Sequence, residues 1–538
     1  MTPSRRELLA AFLGLPAVLA GCSAKRPPLP EGEIVGPSDG LGHRLRDGWR
    51  PRPTTWEEKP VVIVGGGVAG LAAAWRLRRE GFDNFVLLEL ERDAGGTARS
   101  GRGPTGAYPW GAHYVPAPLA HHQLVIELLK DLGAIEGFDA DGTPQIAEEI
   151  LCRDPHERIY YRGRWYEGLY LHAGQSDDDV RQFRQFRQEI DRWVAWRDGR
   201  GRRAFTVPAA LSSDDPEVTA LDRETVADWL GRQGFTSPRL LWLLDYACRD
   251  DYGTTPDHTS AWAGLFYFAA RMKAAGVEAQ PLMTWPEGNG RFVRHFAQRA
   301  REQIRAGWAA SEIVPGQPKI EVTAVSATGE AIGLRTERVI CAAPRFVTRH
   351  LVRDFRTDPP AYFAEFEYGS WAVANLHLSD RPTEIGFPMA WDNVLYESPS
   401  LGYVVNTHQL GQDEGPTTLT WYYPLCDADA KAARARLLES SWHDWAEIAL
   451  ADLSLPHANV RELATRLDVM RWGHAMVRPL PGFIWGQGRR QAALPYRGIH
   501  FAGADLSGLA LFEEALYHGV RAAEEVLGAR GELRKALV

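Results

Sequence analysis

The residues best placed to do chemistry early in the chain are small ones. Gly65, Gly67, Ala69 and Gly70 lie in GGGVAG, directly after the apolar run VVIV. Gly65, Gly67 and Gly70 spell G-x-G-x-x-G. In that pattern the first glycine makes a tight turn and the second lets backbone approach a pyrophosphate. The third lets a helix pack on a strand. The pyrophosphate then rests on the helix N-terminus, where unpaired N–H groups and the helix dipole favour anions. Glu89 lies 19 residues after Gly70, where a carboxylate accepts both hydroxyls of an adenosine ribose. Three polar side chains are candidates for facing a substrate. They are His113 and Tyr114 in YPWGAHYVPAP, and His474 in RWGHAMVRPLPGFIWG. No metal is expected, because the 16 histidines and five cysteines show neither H-x-x-x-H nor C-x-x-C spacing.

These residues need elements to hold them. Residues 61–64 read as a buried parallel-type strand, and LAAAWRLRREG as a helix stopped by Gly81. FVLLE is a second strand ending at Glu89, with Gly95 and Gly96 six and seven residues further on. RVICAAP, residues 338–344, reads as another strand. Near the far end, a strand over residues 499–502 meets Gly503 and Asp505, and a helix then runs to about Leu527. Gly65 and Gly503 are 438 residues apart, yet both read as parts of one nucleotide site.

A chain that closes its binding domain with its last segment resembles the flavin-containing amine oxidase superfamily. That group includes monoamine and polyamine oxidases, protoporphyrinogen oxidases and carotenoid-type desaturases. The resemblance is carried by residues 61–101, 338–344 and 496–527. It implies an α/β fold, with a Rossmann-type (glutathione-reductase-like) FAD-binding domain assembled from discontinuous segments and an inserted α+β substrate domain. It implies FAD as cofactor, with Glu89 on the adenosine ribose. Gly95, Gly96, Thr97 and Arg99 would line the pyrophosphate and ribityl chain, although Thr97 stands where many members have Arg. Asp505 is expected at the ribityl or pyrophosphate. The helix after it would aim its N-terminus, near Leu511 and Phe512, at flavin N1 and C2=O. Gly111, Ala112, His113 and Tyr114 match the segment that runs under the flavin ring. Trp472, His474, Phe483 and Trp485 fall in a stretch that enters the active-site wall in relatives.

Two departures bear on the substrate. Amine oxidases of this type usually carry a lysine that holds a water beside flavin N5. Here that position falls on or near Val373, and no lysine occurs between Lys319 and Lys431. Of the paired aromatics that sandwich an amine, one would fall near Leu511 and is absent, and the other matches Phe483. No cysteine follows Cys426, so the FAD is expected to be non-covalent.

The expected division is residues 60–114, 286–345 and 481–538 for the FAD-binding domain, and 115–285 and 346–480 for the substrate domain. Residues 22–59, rich in Pro and Gly, read as a tether, although residues 33–48 are less bland than a spacer. In residues 176–196, Val180, Phe183, Phe186 and Ile190 recur at helical spacing. Residues 1–21 read as an export signal. Arg5 and Arg6 precede a 13-residue apolar run, too short for a spanning helix of about 20 residues. Residues 4–9 resemble a twin-arginine signal, and LAGC ending at Cys22 resembles a lipobox, which implies lipidation of Cys22 and a membrane anchor. The protein is thus expected to be an exported periplasmic or cell-envelope lipoprotein.

Composition sets the outer limits. The chain has 538 residues, 45% apolar and 24% charged, with a net charge of −8, or −9 without the +1 of residues 1–21. With seven lysines and no dense basic stripe, nucleic acid is not an expected partner. The expected function is hydride transfer from a C–N or C–C bond of a small molecule to FAD. Two alternatives are a desaturase or dehydrogenase of an apolar substrate, and a non-catalytic flavin-stabilised binding lipoprotein.

Overall fold

A computed structural model describes residues 27–426 and 429–538. The export signal and Cys22 lie outside the described residues. The protein is a mixed α/β structure built around three larger sheets. Among the described residues no helix is long and apolar enough to cross a membrane.

Five parallel strands form the nucleotide-side sheet, in the order Ile304–Ala306, Phe85–Glu89, Val61–Val64, Arg338–Cys341, Ile499–Phe501. Val61–Val64 is buried at every position and takes the centre, as expected of a parallel strand covered on both faces. The glycine turn and the helix Val68–Arg79 follow it. A last helix, Phe512–Arg530, ends at Gly531 in the left-handed region (φ 70°) and packs along Val68–Arg79. That packing is close because Gly519 has no side chain. A Cβ there would lie 2.2 Å from the Ala69 carbonyl oxygen and 2.9 Å from Ala72 Cβ.

The substrate-side sheet has eight strands. Its third strand in spatial order is Tyr368–Leu378, buried at all positions, which pairs antiparallel with Thr417–Pro424 and Ala464–Val477. At its far side Glu157–Tyr161 pairs parallel with Asp392–Leu395. The helix Asp177–Ala195 carries a capping box from Ser176 and Asp179, and buries Phe186 and Ile190.

The structure corrects the tether from residue 31 onward. Ile34–Gly36 pairs with Ala464–Val477, Asp39–Arg46 is a helix, and Thr55–Glu58 joins a four-stranded sheet. At Gly32 the glycine serves close approach. A Cβ at Gly32 would sit 1.8 Å from the Leu467 carbonyl oxygen. The boundaries drawn at 114/115 and 285/286 also cut through a pairing. Tyr114–Pro116 is hydrogen-bonded to Leu282–Thr284, so the two segments belong to one ribbon.

The contact at Gly519 yields a prediction. Gly519→Val should separate the two helices and cost about 1–3 kcal/mol of unfolding free energy. Denaturant unfolding at neutral pH checks it.

Candidate active site

The glycine turn and its neighbours form a continuous cradle. Gly65 has φ 100°, and its N–H donates to the Leu88 carbonyl (2.9 Å). A Cβ at Gly70 would lie 1.9 Å from the Gly65 oxygen, so the helix starts as close to the turn as backbone permits. Gly67 bridges to Gly95, and the Gly95 N–H donates to the Gly66 carbonyl (2.8 Å). Gly95 and Gly96 both adopt positive φ. The Ala112 N–H donates to the Thr97 carbonyl (3.1 Å), and a Cβ at Gly111 would lie 2.3 Å from that oxygen. The structure thus brings Gly65, Gly67, Ala69, Gly70, Gly95, Gly96, Thr97 and Gly111 into one neighbourhood.

Glu89 is 8% exposed, and its two oxygens accept from the Gly66 N–H (2.7 Å) and the Glu91 N–H (2.8 Å). Burial pushes its carboxyl up, against those two N–H groups. Each oxygen keeps one further lone pair, which suits a ribose diol. Arg99 lies 3.5 Å from Glu91, so its charge is already shared.

The distant end of the chain arrives beside this cradle. Asp505 Oδ2 accepts from the Arg345 N–H and the Tyr368 hydroxyl, both at 2.7 Å. Asp505 Oδ1 is buried with no partner among the described residues, as are Nε and Nη1 of Arg345, which is 0% exposed. Such orphans are costly, and the hydroxyls and phosphates of a dinucleotide would satisfy them. Gly503 has φ 151°, and Phe512 opens the last helix with its ring 4.5 Å from Phe292. The residues present therefore fit FAD.

A cavity adjoins the Gly111 segment. His113 and Tyr114 enter it from the start of the Tyr114–Pro116 strand. His113 packs against Tyr422 (4.9 Å), Tyr114 (5.1 Å) and Trp391 (5.3 Å). Burial lowers its pKa to about 4, so it is neutral at physiological pH. Burial likewise raises the Tyr114 phenol well above its usual value. The Tyr422 hydroxyl donates to the Gly111 carbonyl (2.9 Å), fixing the wall to the cradle.

Three carboxylates share the cavity: Glu157, Asp250 and Asp392. Each sits where local electrostatics oppose it. Glu157 and Asp392 are direct register partners on neighbouring strands, an unfavourable place for like charges. Asp250 lies in the last turn of Pro238–Tyr252, where the helix dipole disfavours an anion. None of the three makes an ion pair among the described residues. Burial raises all three; the neighbouring carboxylates add to the rise at Asp250 and Asp392, and Asp392 is pushed to about 8. Arg271, with its guanidinium 6.0 Å from the Tyr114 ring, is the nearby cation that moderates Asp250. Among the described residues no group of three or more His, Cys, Asp or Glu side chains is arranged to hold a metal ion.

His474 is not part of this wall. It stacks on Phe346 (3.8 Å, 13°) and meets the edge of Tyr368, the residue bonded to Asp505. Burial and Arg434 lower its pKa to about 3. Its neighbours in sequence also do other work. Trp472 donates to the Trp110 carbonyl (2.6 Å), Phe483 packs on Phe366, and Trp485 on Trp262. Val373 is 1% exposed and packs among Tyr108, Trp110 and Met470, so no ammonium stands there. The carboxylates escaped the sequence reading, although Asp250 left a signal. An acidic pair, Asp250-Asp251, stands in the last turn of the helix, at its least favourable end.

The comparisons agree with this geometry. A family profile described as "Flavin containing amine oxidoreductase" matches residues 68–527. Peroxisomal N(1)-acetyl-spermine/spermidine oxidase of Bos taurus is 37% identical over 75 residues, 14% of this chain and 15% of that protein. A Baeyer-Villiger monooxygenase of Streptomyces coelicolor is 44% identical over 63 residues, 12% of this chain and 11% of that protein. The matched stretches thus span only a small part of these curated relatives. Among solved structures, putrescine oxidase bound to putrescine aligns with a TM-score of 0.64 at 14% identity, covering 88% of this chain and all of that one. Cyclohexylamine oxidase from Brevibacterium oxydans IH-35A aligns at 0.62 and 16% identity, with the same coverage. These likenesses show a shared fold.

The carboxylate cluster predicts a pH dependence of stability. Asp392 has a folded pKa above its unfolded one, so the empty cavity loses stability as pH rises from about 4 to about 8. Asp392→Asn should therefore stabilise the substrate-free protein above pH 8, and the gain should vanish below pH 4. Thermal unfolding across that range checks it.

Proposed function

The chain belongs to the flavin containing amine oxidoreductase family, and from that premise we propose that it oxidises a di- or polyamine at a carbon beside nitrogen. It is an FAD-dependent oxidoreductase. The observation that carries the amine is the trio Glu157, Asp250 and Asp392, buried together without an ion pair. An uncompensated buried charge is expensive, and a multiply charged amine would supply the missing cations. The aromatic walls from Tyr246, Tyr267, Tyr422 and Trp391 suit the same ligand, since ring faces attract ammonium groups. An apolar substrate would leave all three carboxylates unpaired, which weighs against the desaturase reading.

FAD, held non-covalently in this reading, supplies the hydride acceptor. The remaining work falls to side chains of the chain. Glu157 and Asp392 would bind a distal ammonium and fix how far the substrate enters. His113 and Tyr114, nearest the Gly111 segment, would orient the reacting nitrogen. His113 is neutral, so it can accept a hydrogen bond from an N–H. Gly65, Gly67, Gly70 and Glu89 would hold the adenosine and pyrophosphate, in a Rossmann-type arrangement closed by Gly503 and Asp505. We further propose export by the twin-arginine-like start and anchoring through Cys22, which would place the enzyme at the cell envelope.

Four outcomes test this reading. Anaerobic addition of a diamine such as putrescine should bleach the flavin absorbance, and an apolar alkene should not. If no amine bleaches it and a protein partner co-purifies, the non-catalytic reading takes its place. Glu157→Gln and Asp250→Asn should each raise KM for a diamine roughly 10- to 100-fold, as expected for losing a charge-assisted bond. KM should also fall as pH rises through about 8, because the empty site must release the Asp392 proton to bind a cation. Asp392→Asn should flatten that profile in steady-state kinetics. Cys22→Ser should move the exported protein from the membrane to the soluble fraction.

A further inference from the structure

The loop from Glu89 to Arg99 carries the ribose carboxylate and the glycine pair, yet it is held partly by chain outside the family match. We propose that residues 31–50 form a strap belonging to the flavin site, which clamps this loop over the bound FAD and sets how slowly the cofactor leaves. The proposal rests on the flavin reading above.

The strap is fixed at both ends to different parts of the fold. At its start, Ile34 and Gly36 pair with Val469 and Met470. The Leu467 and Val469 N–H groups donate to the Glu31 and Glu33 carbonyls (2.8 and 2.9 Å), and Arg466 pairs with Glu33 (2.9 Å). At its finish, Arg50 donates to the Trp49 carbonyl (2.7 Å) and to the His350 carbonyl (3.1 Å) at the end of Arg345–Leu351. Between these points the strap grips the loop itself. The Ser38 N–H and hydroxyl donate to the two carboxylate oxygens of Glu91 (2.8 and 2.9 Å). Glu91 in turn gives its N–H to Glu89 and its charge to Arg99. At Gly36, φ is 142°, and a Cβ would lie 3.5 Å from Arg99 Nη2.

An exposed serine–carboxylate contact contributes little by itself. The grip comes from the helix Asp39–Arg46, which presents Leu41 and Leu45, with Trp49, to Leu90, Ala309 and Val325. Leu45 is 7% exposed there. Leu90 directly follows the ribose carboxylate, so the helix covers the loop at its root. For the loop to open, the Leu45 contact and the Ser38 bonds must break together.

Coupling of this kind is reciprocal: if the strap retains FAD, FAD must retain the strap. Two measurements test it. The first is the rate of FAD release from the holoenzyme, followed by flavin fluorescence, for wild type, Leu45→Asp and Ser38→Ala. Leu45→Asp should release FAD about tenfold faster or more, with a smaller increase for Ser38→Ala, while far-UV circular dichroism stays unchanged. The second is trypsin cleavage after the exposed Arg44 and Arg46 in wild type, with and without FAD. FAD should slow it by a similar factor. Unchanged release from a Leu45→Asp protein whose strap is cut faster would overturn the proposal, as would equal cleavage with and without FAD. A wild-type chain that takes up no FAD would overturn the flavin reading, and the strap with it.

Discussion

The rest of the structure depends on one close approach, between the helix after the glycine turn and the last helix of the chain. Gly519 meets the Ala69 carbonyl at a distance no side chain permits. Arg76, on the first helix, lies 2.6 Å from Glu80 and 2.8 Å from Glu524 on the last, an ion pair buried between them. With the helices so fixed, Ile499–Phe501 becomes the outer strand of the parallel sheet, and Gly503 and Asp505 reach the cradle. A site contributed by segments this far apart exists only in the folded chain. Its cofactor therefore reports on the fold, because whatever binds the native state alone also stabilises it.

The charges divide into two kinds. Some buried ions find partners within the chain: Arg76 with two glutamates, and Arg158 with Glu384 at 2.6 Å. At the cavity Glu157, Asp250 and Asp392 have none, and two of them face each other across a strand pair. Like Arg345 and Asp505 at the cradle, these groups are left open. Local strain of this kind belongs where a ligand completes the structure. The neutral His113 and the aromatic walls complete a pocket that is hostile to anions and receptive to cations.

What could be read from the sequence follows from how local each feature is. The placing of the glycine turn, Glu89 and the Gly503–Asp505 pair in one neighbourhood was legible because residue types at fixed spacing mark a strand, a turn and a helix. The cysteines and histidines gave no metal spacing. Residues 31–58 were misread because Gly32 and Gly36 there pack on Leu467 and Met470, and composition cannot separate that use from flexibility. His474 was placed at the wall because the matching stretch enters the active-site wall in relatives. In the structure the strand Ala464–Val477 carries it to Phe346 and Tyr368 instead. The three carboxylates were hidden for a different reason. One comes from a helix end and two from the starts of strands more than 200 residues apart, and only the sheet register brings them together.

The most direct test is the flavin content of the purified chain beside that of Glu89→Ala. The account predicts a yellow wild-type protein that releases one FAD per chain on denaturation, and a variant that folds but loses its flavin on gel filtration. A colourless wild-type chain that takes up no FAD on refolding, or a variant that retains flavin as firmly as wild type, would contradict it.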